Sequence, residues 1–268
     1  MTDLAAELAL AHDLAARADA LTLPAFERRH FTLDWKADHT EVTDVDRGVE
    51  AMIASTLDAA RPRHGRLGEE YGLAGERGSP WRWIVDPIDG TSGFVRGIPV
   101  WATLIALAHD GDGVVVAVVS APALGRRWWA TKGEGTFVDG RPCAVSPVAS
   151  IAEAQISVTF NDGWDQLGLT GALSRLVREA RRARGFGDFW QHALVAEGAL
   201  DIAVDAVGVA PYDLAAVRLL VEEAGGTFTD RHGAVTHDSN TAISSNGILH
   251  AEVLRRLAVS DSATAPSG

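Results

Sequence analysis

The chain of 268 residues lacks the features that tie a protein to a membrane, an oxidising compartment or nucleic acid. Its one cysteine, Cys143, has no partner for an internal disulfide, which fits a reducing cytoplasm. No apolar run approaches membrane-spanning length, and the N-terminus lacks a secretory signal. No basic run offsets the net charge of −12, which disfavours a polyanionic partner. These absences predict a cytoplasmic protein that binds neither membranes nor nucleic acid.

Several catalytic signatures are absent from the sequence as well. A Gly-x4-Gly-Lys-Ser/Thr loop is missing, which disfavours a nucleoside triphosphatase. There is no His-Glu-x-x-His or paired-cysteine zinc motif, and residues 90–93 are one residue short of a Gly-x-Ser-x-Gly nucleophile elbow. The nine histidines are scattered, and we interpret each as a structural or surface residue. The remaining candidates for chemistry are carboxylates.

The spacing of apolar residues predicts layered helices and sheets. It indicates one helix from Leu4 to about Phe26 and a second from Asp44 to Ala60. The middle of the chain has consecutive strand-like segments with hairpin signals at 110–113 and 132–135, which favours an antiparallel sheet. The second half alternates between predicted strands at 156–160, 200–204, 227–229 and 241–244 and predicted helices at 167–180, 192–198, 213–224 and 249–257. This alternation predicts an α/β architecture.

The length allows one large domain or two closely joined halves. No internal repeat and no long linker divides the chain. We therefore expect a single unit over residues 3–258, with a metal-rich half at about 3–145 and a C-terminal half at about 146–258. Residues 260–268 are small and polar, which predicts a flexible tail at 259–268.

The strongest signal of a functional site lies in residues 83–91, where a short apolar strand predicted at 83–85 ends at Asp86 and two acids follow. Asp86 and Asp89 are three residues apart, and Pro87 stiffens the turn between them. Carboxylates that converge repel each other unless they are protonated or bridged by a cation. Magnesium prefers such hard oxygen ligands and leaves positions open for water and phosphate. An ordinary acidic turn is the alternative, and it is weakened by the accompanying strand, proline, glycine and threonine.

The small residues at 90–93 would allow a phosphate to approach the backbone. A helix that begins there would direct free N–H groups at that phosphate. Magnesium on one side and backbone amides on the other would form a phosphate-binding site.

Three other acid clusters are weaker when each is taken alone. Glu69 follows a glycine at a predicted strand end, but Gly-Glu-Glu sequences are often solvated loops. Thr43, ahead of Asp46, is equally suited to capping the second helix, a role that leaves Asp46 open to catalysis. Helix capping also explains Asp213 if that residue is considered alone.

Taken together, these residues resemble a known family, the inositol monophosphatase family of metal-dependent sugar phosphatases. The resemblance runs from about Leu4 to Leu257. Its motifs are Asp86-Pro87-Ile88-Asp89-Gly90-Thr91, with Gly68-Glu69-Glu70 upstream and Tyr212-Asp213 and Glu223-Ala224-Gly225-Gly226 downstream. The family implies an αβαβα sandwich of alternating helix and sheet layers, two or three Mg²⁺ ions and a homodimer.

The resemblance also implies a role for each matching residue. Metal ligands would be the carboxylates of Glu69, Asp86, Asp89 and Asp213 and the carbonyl of Ile88. Thr91 and Asp46 resemble the pair that orients and deprotonates the attacking water, and Glu69 is placed with them in the catalytic set. The amides of Gly90 and Thr91 resemble the phosphate-binding ones, and Lys36 matches a lysine near the metal-site loop of some members.

Within the family, residues 94–102, 120–129 and 184–190 are most similar to histidinol-phosphate phosphatases. Histidinol phosphate carries an ammonium group that inositol phosphate lacks, and Asp188 and Asp205 match positions near the substrate rim where they would pair with it. Capping of the helix that begins there is the alternative role for Asp188. The sequence therefore predicts a Mg²⁺-dependent phosphatase of L-histidinol phosphate in histidine biosynthesis. The alternative is an inositol-1-phosphate or broad-specificity sugar monophosphatase.

Three departures from the family pattern predict a reshaped substrate rim. Residues 92–94 replace the usual asparagine-containing segment, and Pro211 and Tyr212 stand where a tryptophan normally precedes the aspartate. Ala206 occupies the position of a usual acid, with Asp205 one residue away. A third possibility, a non-catalytic metal- or phosphate-binding protein, is disfavoured because the carboxylate set is intact.

Overall fold

The computed structural model describes residues 3–205 and 207–258, so Ala206 and the predicted tail at 259–268 lie outside the described residues. The helices are α1 (Leu4–Arg28), α2 (Asp44–Ala60), α3 (Thr91–Arg96), α4 (Gly163–Gln166), α5 (Thr170–Glu179), α6 (Asp188–Ala196), α7 (Pro211–Glu223) and α8 (His250–Leu257). The strands are β1 (Leu33–Trp35), β2 (Glu41–Thr43), β3 (Gly65–Gly68), β4 (Gly72–Gly75), β5 (Trp81–Asp89), β6 (Ala102–His109), β7 (Gly113–Ala121), β8 (Arg126–Thr131), β9 (Gly135–Val138), β10 (Arg141–Pro142), β11 (Gln155–Thr159), β12 (Arg182–Arg184), β13 (Ile202–Asp205), β14 (Thr227–Thr229) and β15 (Ala242–Ser245).

The first sheet has eight strands in the order β10-β9-β8-β7-β6-β5-β3-β4. Its neighbouring strands are antiparallel except for β3 and β5, which run parallel. In the chain β4 lies between these two strands and pairs with the outer edge of β3. Both predicted hairpins are present, joining β6 to β7 and β8 to β9. The predicted antiparallel sheet is therefore confirmed apart from this one parallel pair.

Helices α1 and α2 cover the outer face of this sheet. The N-terminus of α2 is capped by Thr43, and Asp46 accepts a hydrogen bond from the Thr43 N–H at 2.9 Å. The buried stripe of α2, which includes Val49, Ile53 and Leu57, packs with α1 against the sheet. Capping and apolar periodicity together explain why both helices have nearly the predicted bounds.

The second sheet has five strands in the order β12-β11-β13-β15-β14. Helices α6 and α7 lie between the two sheets, in a core that includes Phe189, Leu214 and Phe228. Helices α5 and α8 cover the far face of the second sheet, around Leu176 and Val253. The layers thus alternate as helices, sheet, helices, sheet and helices, which confirms the predicted αβαβα arrangement. In the described ranges, no helix combines the length and hydropathy that a membrane span requires.

Two boundary predictions are wrong for local reasons. Strand β5 does not end at Asp86 but continues through Pro87 to Asp89, with a register shift between the two aspartates. Such an irregularity tolerates a proline because the regular hydrogen-bond ladder is already interrupted there. The single helix predicted at 167–180 is divided into α4 and α5, since Gly168 adopts a left-handed φ of 65° between them.

Candidate active site

A cavity of about 420 Å³ opens where the end of β5 meets the N-termini of α3, α6 and α7. The β1–β2 hairpin flanks its mouth. The residues that line it include Trp35, His39, Glu69, Asp86, Ile88, Asp89, Gly90, Thr91, Arg96, Asn161, Asp188, His192, Asp205 and Asp213. The structure therefore brings together the predicted site residues from both halves of the chain.

Three aspartates converge at the floor of this cavity. Asp86 and Asp89 come from the irregular end of β5, and Asp213 is the third residue of α7. One carboxylate oxygen of each lies within 4.8 Å of the others. Asp213 also accepts the N–H of Ala210 at 2.7 Å, so it caps its helix and belongs to the cluster at the same time. The two interpretations of Asp213 are therefore compatible.

The aspartate cluster cannot carry its full negative charge at low cost. Burial raises the pKa of Asp86 well above its usual value, and the nearby charges of Glu69, Asp89 and Asp213 raise it further. Burial, followed by the charges of Asp188 and Asp213, raises the pKa of Asp89 in the same way. For Asp213, burial raises the pKa to about 7. A cation would remove this repulsion and restore the ionised forms.

The donor set of the cavity fits a hard divalent cation. Within the part of the chain that the structure describes, Asp86 Oδ1 and Glu69 Oε2 are buried without a hydrogen-bond partner. Buried polar atoms without a partner are uncommon, and oxygen atoms in an acidic cluster are the ligands that Mg²⁺ prefers. The carbonyl of Ile88 also faces this region, where it accepts a hydrogen bond from Thr91 Oγ1 at 2.9 Å.

Glu69 lies in the same cavity but outside the three-aspartate cluster. Its Oε1 accepts a hydrogen bond from Lys36 Nζ at 2.7 Å, and the same ammonium lies 2.6 Å from Glu70 Oε1. Although burial opposes the charged form, these contacts with Glu69 and Glu70 raise the pKa of Lys36. Lys36 is therefore a resident cation that neutralises part of the acidic wall.

Thr91 and Asp46 form a pair at the side of the cavity. Thr91 Oγ1 lies 3.1 Å from Asp46 Oδ1, within donating distance, and it is the first residue of α3. Asp46 is buried behind Thr91, where its other oxygen is held by Thr43. Burial raises the pKa of Asp46 despite these hydrogen bonds. The arrangement presents a hydroxyl to the cavity with a carboxylate behind it.

Position 90, which precedes Thr91, accommodates only glycine. Its φ is 85°, and an added Cβ would approach the Val100 carbonyl to 2.9 Å and Asp188 Oδ2 to 3.3 Å. A side chain here would strain the turn and fill the approach to the backbone amides. The glycine thus leaves the entrance to α3 open.

Asp188 and Asp205 lie on the other side of the cavity. Asp188 is the first residue of α6, has a φ of 47°, and its side chain makes no capping hydrogen bond. The capping alternative for Asp188 is therefore wrong, because Gly187 occupies the cap position with a backbone geometry that brings Asp188 to the cavity. Burial and then the charge of Asp205 raise the pKa of Asp188 to about 6.

Asp205 is more deeply buried, and its oxygens are more fully hydrogen-bonded, than a position at the substrate rim predicts. It is 3% exposed, and its two oxygens are 2.8 Å from Gln191 Nε2 and 2.8 Å from His192 Nε2. His192 also contacts Ser244 Oγ at 2.6 Å through Nδ1. Asp205 therefore lines the cavity with both of its oxygens already held by neighbouring side chains.

His192 lines the cavity, so the prediction that every histidine is a structural or surface residue omits a member of the site. Its spacing of four residues from Asp188 places both on one face of α6, and this was the available signal. Trp35 and Asn161 also line the cavity, and no motif singled them out. Arg96 lines it as well and was named only within the segment at 94–102.

A sequence model described as the inositol monophosphatase family matches residues 3–262. The chain belongs to the inositol monophosphatase family. Membership confirms the predicted resemblance. The family is metal-dependent, and its members act on small phosphorylated substrates.

Relatives within the family extend the match over nearly the whole chain. It is 43% identical over 263 residues to a histidinol-phosphatase of Streptomyces coelicolor, covering 95% of this chain and 97% of that protein. It is 48% identical over 256 residues to a histidinol-phosphatase of Mycobacterium tuberculosis, covering 94% and 97%. The crystal structure of the extragenic suppressor protein suhB from Bartonella henselae superposes with a TM-score of 0.86 at 28% identity, covering 94% of this chain and 98% of that one.

Proposed function

We propose that the protein is a Mg²⁺-dependent phosphoric monoester hydrolase whose substrate is L-histidinol phosphate. The observation that carries the proposal is the position of Asp188 in the same cavity as the aspartate cluster and the Thr91–Asp46 pair. One wall suits a metal and a phosphate, and the other suits a cation on the substrate. Two relatives named histidinol-phosphatase, similar over nearly the full chain, support this choice of substrate.

The proposed metal site takes two or three Mg²⁺ ions. Asp86, Asp89, Asp213, Glu69 and the Ile88 carbonyl would hold them. When bound, magnesium supplies positive charge to the phosphoryl oxygens and lowers the pKa of water. The buried oxygens of Asp86 and Glu69 that have no partner in the described ranges support this ligand set.

The proposed base is the Thr91–Asp46 pair. Thr91 Oγ1 accepts a proton from the attacking water while its own hydroxyl proton moves toward Asp46 Oδ1, 3.1 Å away. The water oxygen forms a bond to phosphorus, and the bond from phosphorus to the substrate oxygen breaks. That oxygen takes a proton from a solvent water and leaves as an alcohol, and the proton held by Asp46 passes to the hydroxide that remains. The N–H groups of Gly90 and Thr91, at the start of α3, would bind the phosphate oxygens.

Substrate selection is proposed to rest on Asp188 and Asp205. Asp188 would pair directly with the ammonium group of histidinol phosphate. The oxygens of Asp205 are already held by Gln191 and His192. Asp205 would therefore attract the ammonium group through its negative charge without bonding it directly. An ammonium group in this position would also favour the ionised form of Asp188, whose pKa is about 6 without it.

Inositol 1-phosphate or a broad range of sugar phosphates is the alternative substrate class. Thr159 and Asn161 line the cavity and offer neutral hydrogen-bonding groups that suit the hydroxyls of a polyol. This alternative keeps the same metal ligands and the same Thr91–Asp46 pair.

Phosphate release by the purified protein in Mg²⁺ tests the two substrates at equal concentrations. We expect kcat/KM to be at least tenfold higher for histidinol phosphate than for inositol 1-phosphate. The reverse order would assign the site to the polyol. No hydrolysis of either ester, nor of other small phosphate monoesters, would reject the phosphatase.

We further propose that the protein acts as a homodimer in the cytoplasm and folds as a single unit over residues 3–258, with halves at about 3–145 and 146–258. Sedimentation equilibrium measures the subunit number, and a monomer at micromolar concentration would contradict the dimer. A single cooperative unfolding transition is expected for one unit.

A further inference from the structure

Glu50 is a buried carboxylate of helix α2 that has no part in the proposed chemistry. It is 5% exposed, and its side chain points away from the solvent toward the turn that joins β3 to β4. Its Oε2 accepts the N–H of Glu70 at 2.7 Å, and its Oε1 accepts the N–H of Tyr71 at 3.0 Å. One carboxylate thus holds two consecutive amides of the turn that carries Glu69.

The Glu50 carboxylate occupies space that a side chain at position 68 would otherwise fill. Gly68 immediately precedes Glu69, and a Cβ on Gly68 would lie 1.8 Å from Glu50 Oε1. Any side chain at position 68 would therefore displace Glu50 from the turn. The Gly-Glu-Glu sequence needs its glycine because Glu50 packs against it.

The backbone of Glu69 is consequently fixed from two directions. Its N–H donates to the Val85 carbonyl at 3.2 Å, which ties it to β5 just before Asp86. The next two N–H groups along the turn are held by Glu50. The Tyr71 hydroxyl donates to the Arg47 carbonyl at 3.3 Å, a second link between the turn and α2.

Glu50 also lies four residues after Asp46, so the two acids occupy one face of α2 at successive turns. Asp46 holds Thr91, and Glu50 holds the turn of Glu69. A single helix face therefore sets the distance between the proposed base and the Glu69 carboxylate.

We propose that Glu50 is a positioning residue that orients Glu69 for metal binding by bonding the backbone amides of the β3–β4 turn. The proposal rests on the metal site of the proposed function but not on its substrate. Glu50 does not touch the metal or the phosphate. It acts by holding the chain on which Glu69 is carried.

Three variants of the full chain separate the effect of side-chain length at position 50 from the effect of its negative charge. Glu50→Gln keeps the length and one acceptor but loses the charge. Glu50→Asp keeps the charge but is one methylene too short to reach the amides, and Glu50→Ala removes both. Binding of Mn²⁺ to the metal-free protein, followed by electron paramagnetic resonance, reports the site without substrate.

We expect the Mn²⁺ dissociation constant to rise at least tenfold in Glu50→Asp and Glu50→Ala and by a smaller factor in Glu50→Gln. The Mg²⁺ concentration for half-maximal phosphate release should rise in the same order. Gly68→Ala should weaken Mn²⁺ binding as well, because its Cβ displaces Glu50. Wild-type affinity in folded Glu50→Asp, or a weaker affinity in Glu50→Gln than in Glu50→Asp, would overturn the positioning role.

Glu7→Ala is the matched control. Glu7 is also 5% exposed and is held by Arg61, but it lies on α1 and is bonded to a residue outside the cavity. We expect Glu7→Ala to lower thermal stability without changing the Mn²⁺ dissociation constant. If Glu7→Ala raised the Mn²⁺ dissociation constant as much as Glu50→Ala does, general destabilisation would explain both effects, and the proposal would be overturned. Wild-type Mn²⁺ binding without hydrolysis of any phosphate ester would instead reject the proposed function and leave the Glu50 comparison intact.

Discussion

His192 Nε2 lies 2.8 Å from Asp205 Oδ2, and this contact joins helix α6 to strand β13 beside the cavity. Both residues are almost completely buried, at 2% and 3% exposure. Gln191 holds the other oxygen of Asp205 and Ser244 holds the other ring nitrogen, so the pair belongs to a satisfied polar network. The wall that carries Asp188 is supported by this network.

Replacing His192 with phenylalanine removes one hydrogen-bond partner of Asp205 and should therefore lower the stability of the fold. A buried acceptor that loses its donor costs about 1–3 kcal/mol. We expect His192→Phe to lower the free energy of unfolding by about that amount, measured by urea denaturation. His232, whose side chain is exposed, provides the control, and His232→Phe should unfold as the wild type does. Equal stability of the two variants would contradict the network.

Asp89→Asn should remove one ligand charge while nearly preserving the shape of the cluster. The amide oxygen of asparagine can still accept the Phe189 N–H, which lies 2.6 Å from Asp89 Oδ2. We expect kcat/KM to fall by at least about a hundredfold because the metal site is weakened. Circular dichroism should show an unchanged fold. Activity close to wild type would remove Asp89 from the proposed ligand set.

The hydroxyl of Thr91 is tested by a pair of substitutions. Thr91→Ser keeps the hydroxyl near Asp46, whereas Thr91→Val keeps the shape and removes it. We expect kcat to fall by about 10²–10⁴ in Thr91→Val and by less than about tenfold in Thr91→Ser, as for loss of a general base. Mn²⁺ affinity should remain within a few-fold of wild type in both. Comparable kcat values for the two variants would argue against proton transfer through this hydroxyl.

Asp188→Asn should discriminate between the two substrate classes. Loss of the carboxylate removes a charge-assisted contact with an ammonium group but only a hydrogen bond to a polyol. We expect KM for histidinol phosphate to rise by roughly tenfold or more, with a smaller change for inositol 1-phosphate. Asp162→Asn, at an exposed aspartate that does not line the cavity, is the control. An equal effect of Asp188→Asn on both substrates would contradict recognition of the ammonium group.

The raised pKa values of the aspartate cluster predict how pH affects the metal-free protein. The pKa of Asp213 is about 7 in the fold, and those of Asp86 and Asp89 are also raised, whereas an unfolded aspartate titrates near 3.8. Between these values the folded chain binds more protons than the unfolded chain, so stability falls as pH rises. We expect the melting temperature without divalent ions to decrease from pH 5 to pH 8.

Divalent ions should reverse this trend. Ca²⁺ or Mg²⁺ should raise the melting temperature more at pH 8 than at pH 5, because protonated carboxyls bind cations poorly. Asp89→Asn, measured in the same way, should show a weaker decrease with pH. A melting temperature that rises from pH 5 to pH 8 without metal would contradict the buried acidic cluster.

Local sequence signals were sufficient for the features that depend on a few neighbouring residues. Thr43 and the apolar stripe that follows it gave the bounds of α2, and the spacing of Asp86 and Asp89 indicated the acidic centre. The hairpin signals at 110–113 and 132–135 likewise gave correct strand pairs.

Features that depend on distant contacts were not predictable in this way. The strand through Pro87 is maintained by pairing with β6, and Thr103 donates to the Pro87 carbonyl at 2.8 Å. The burial of Asp205 was not predictable, because Gln191 and His192, from another element, occupy its oxygens. Glu50 has no motif of its own, and its importance arises only where α2 meets the β3–β4 turn.

The β1–β2 hairpin forms a sheet of its own, and the three residues of β1 are exposed. A two-stranded ribbon of this kind is only marginally stable by itself. Asp86 and Asp89, in contrast, sit on β5, in the interior of the eight-stranded sheet. Trp35, on the hairpin, lines the cavity at its outer edge, whereas the acids are carried by an interior strand of the large sheet. A substitution in the hairpin can therefore alter the entrance to the cavity while the backbone that carries the two acids keeps its pairing with β6.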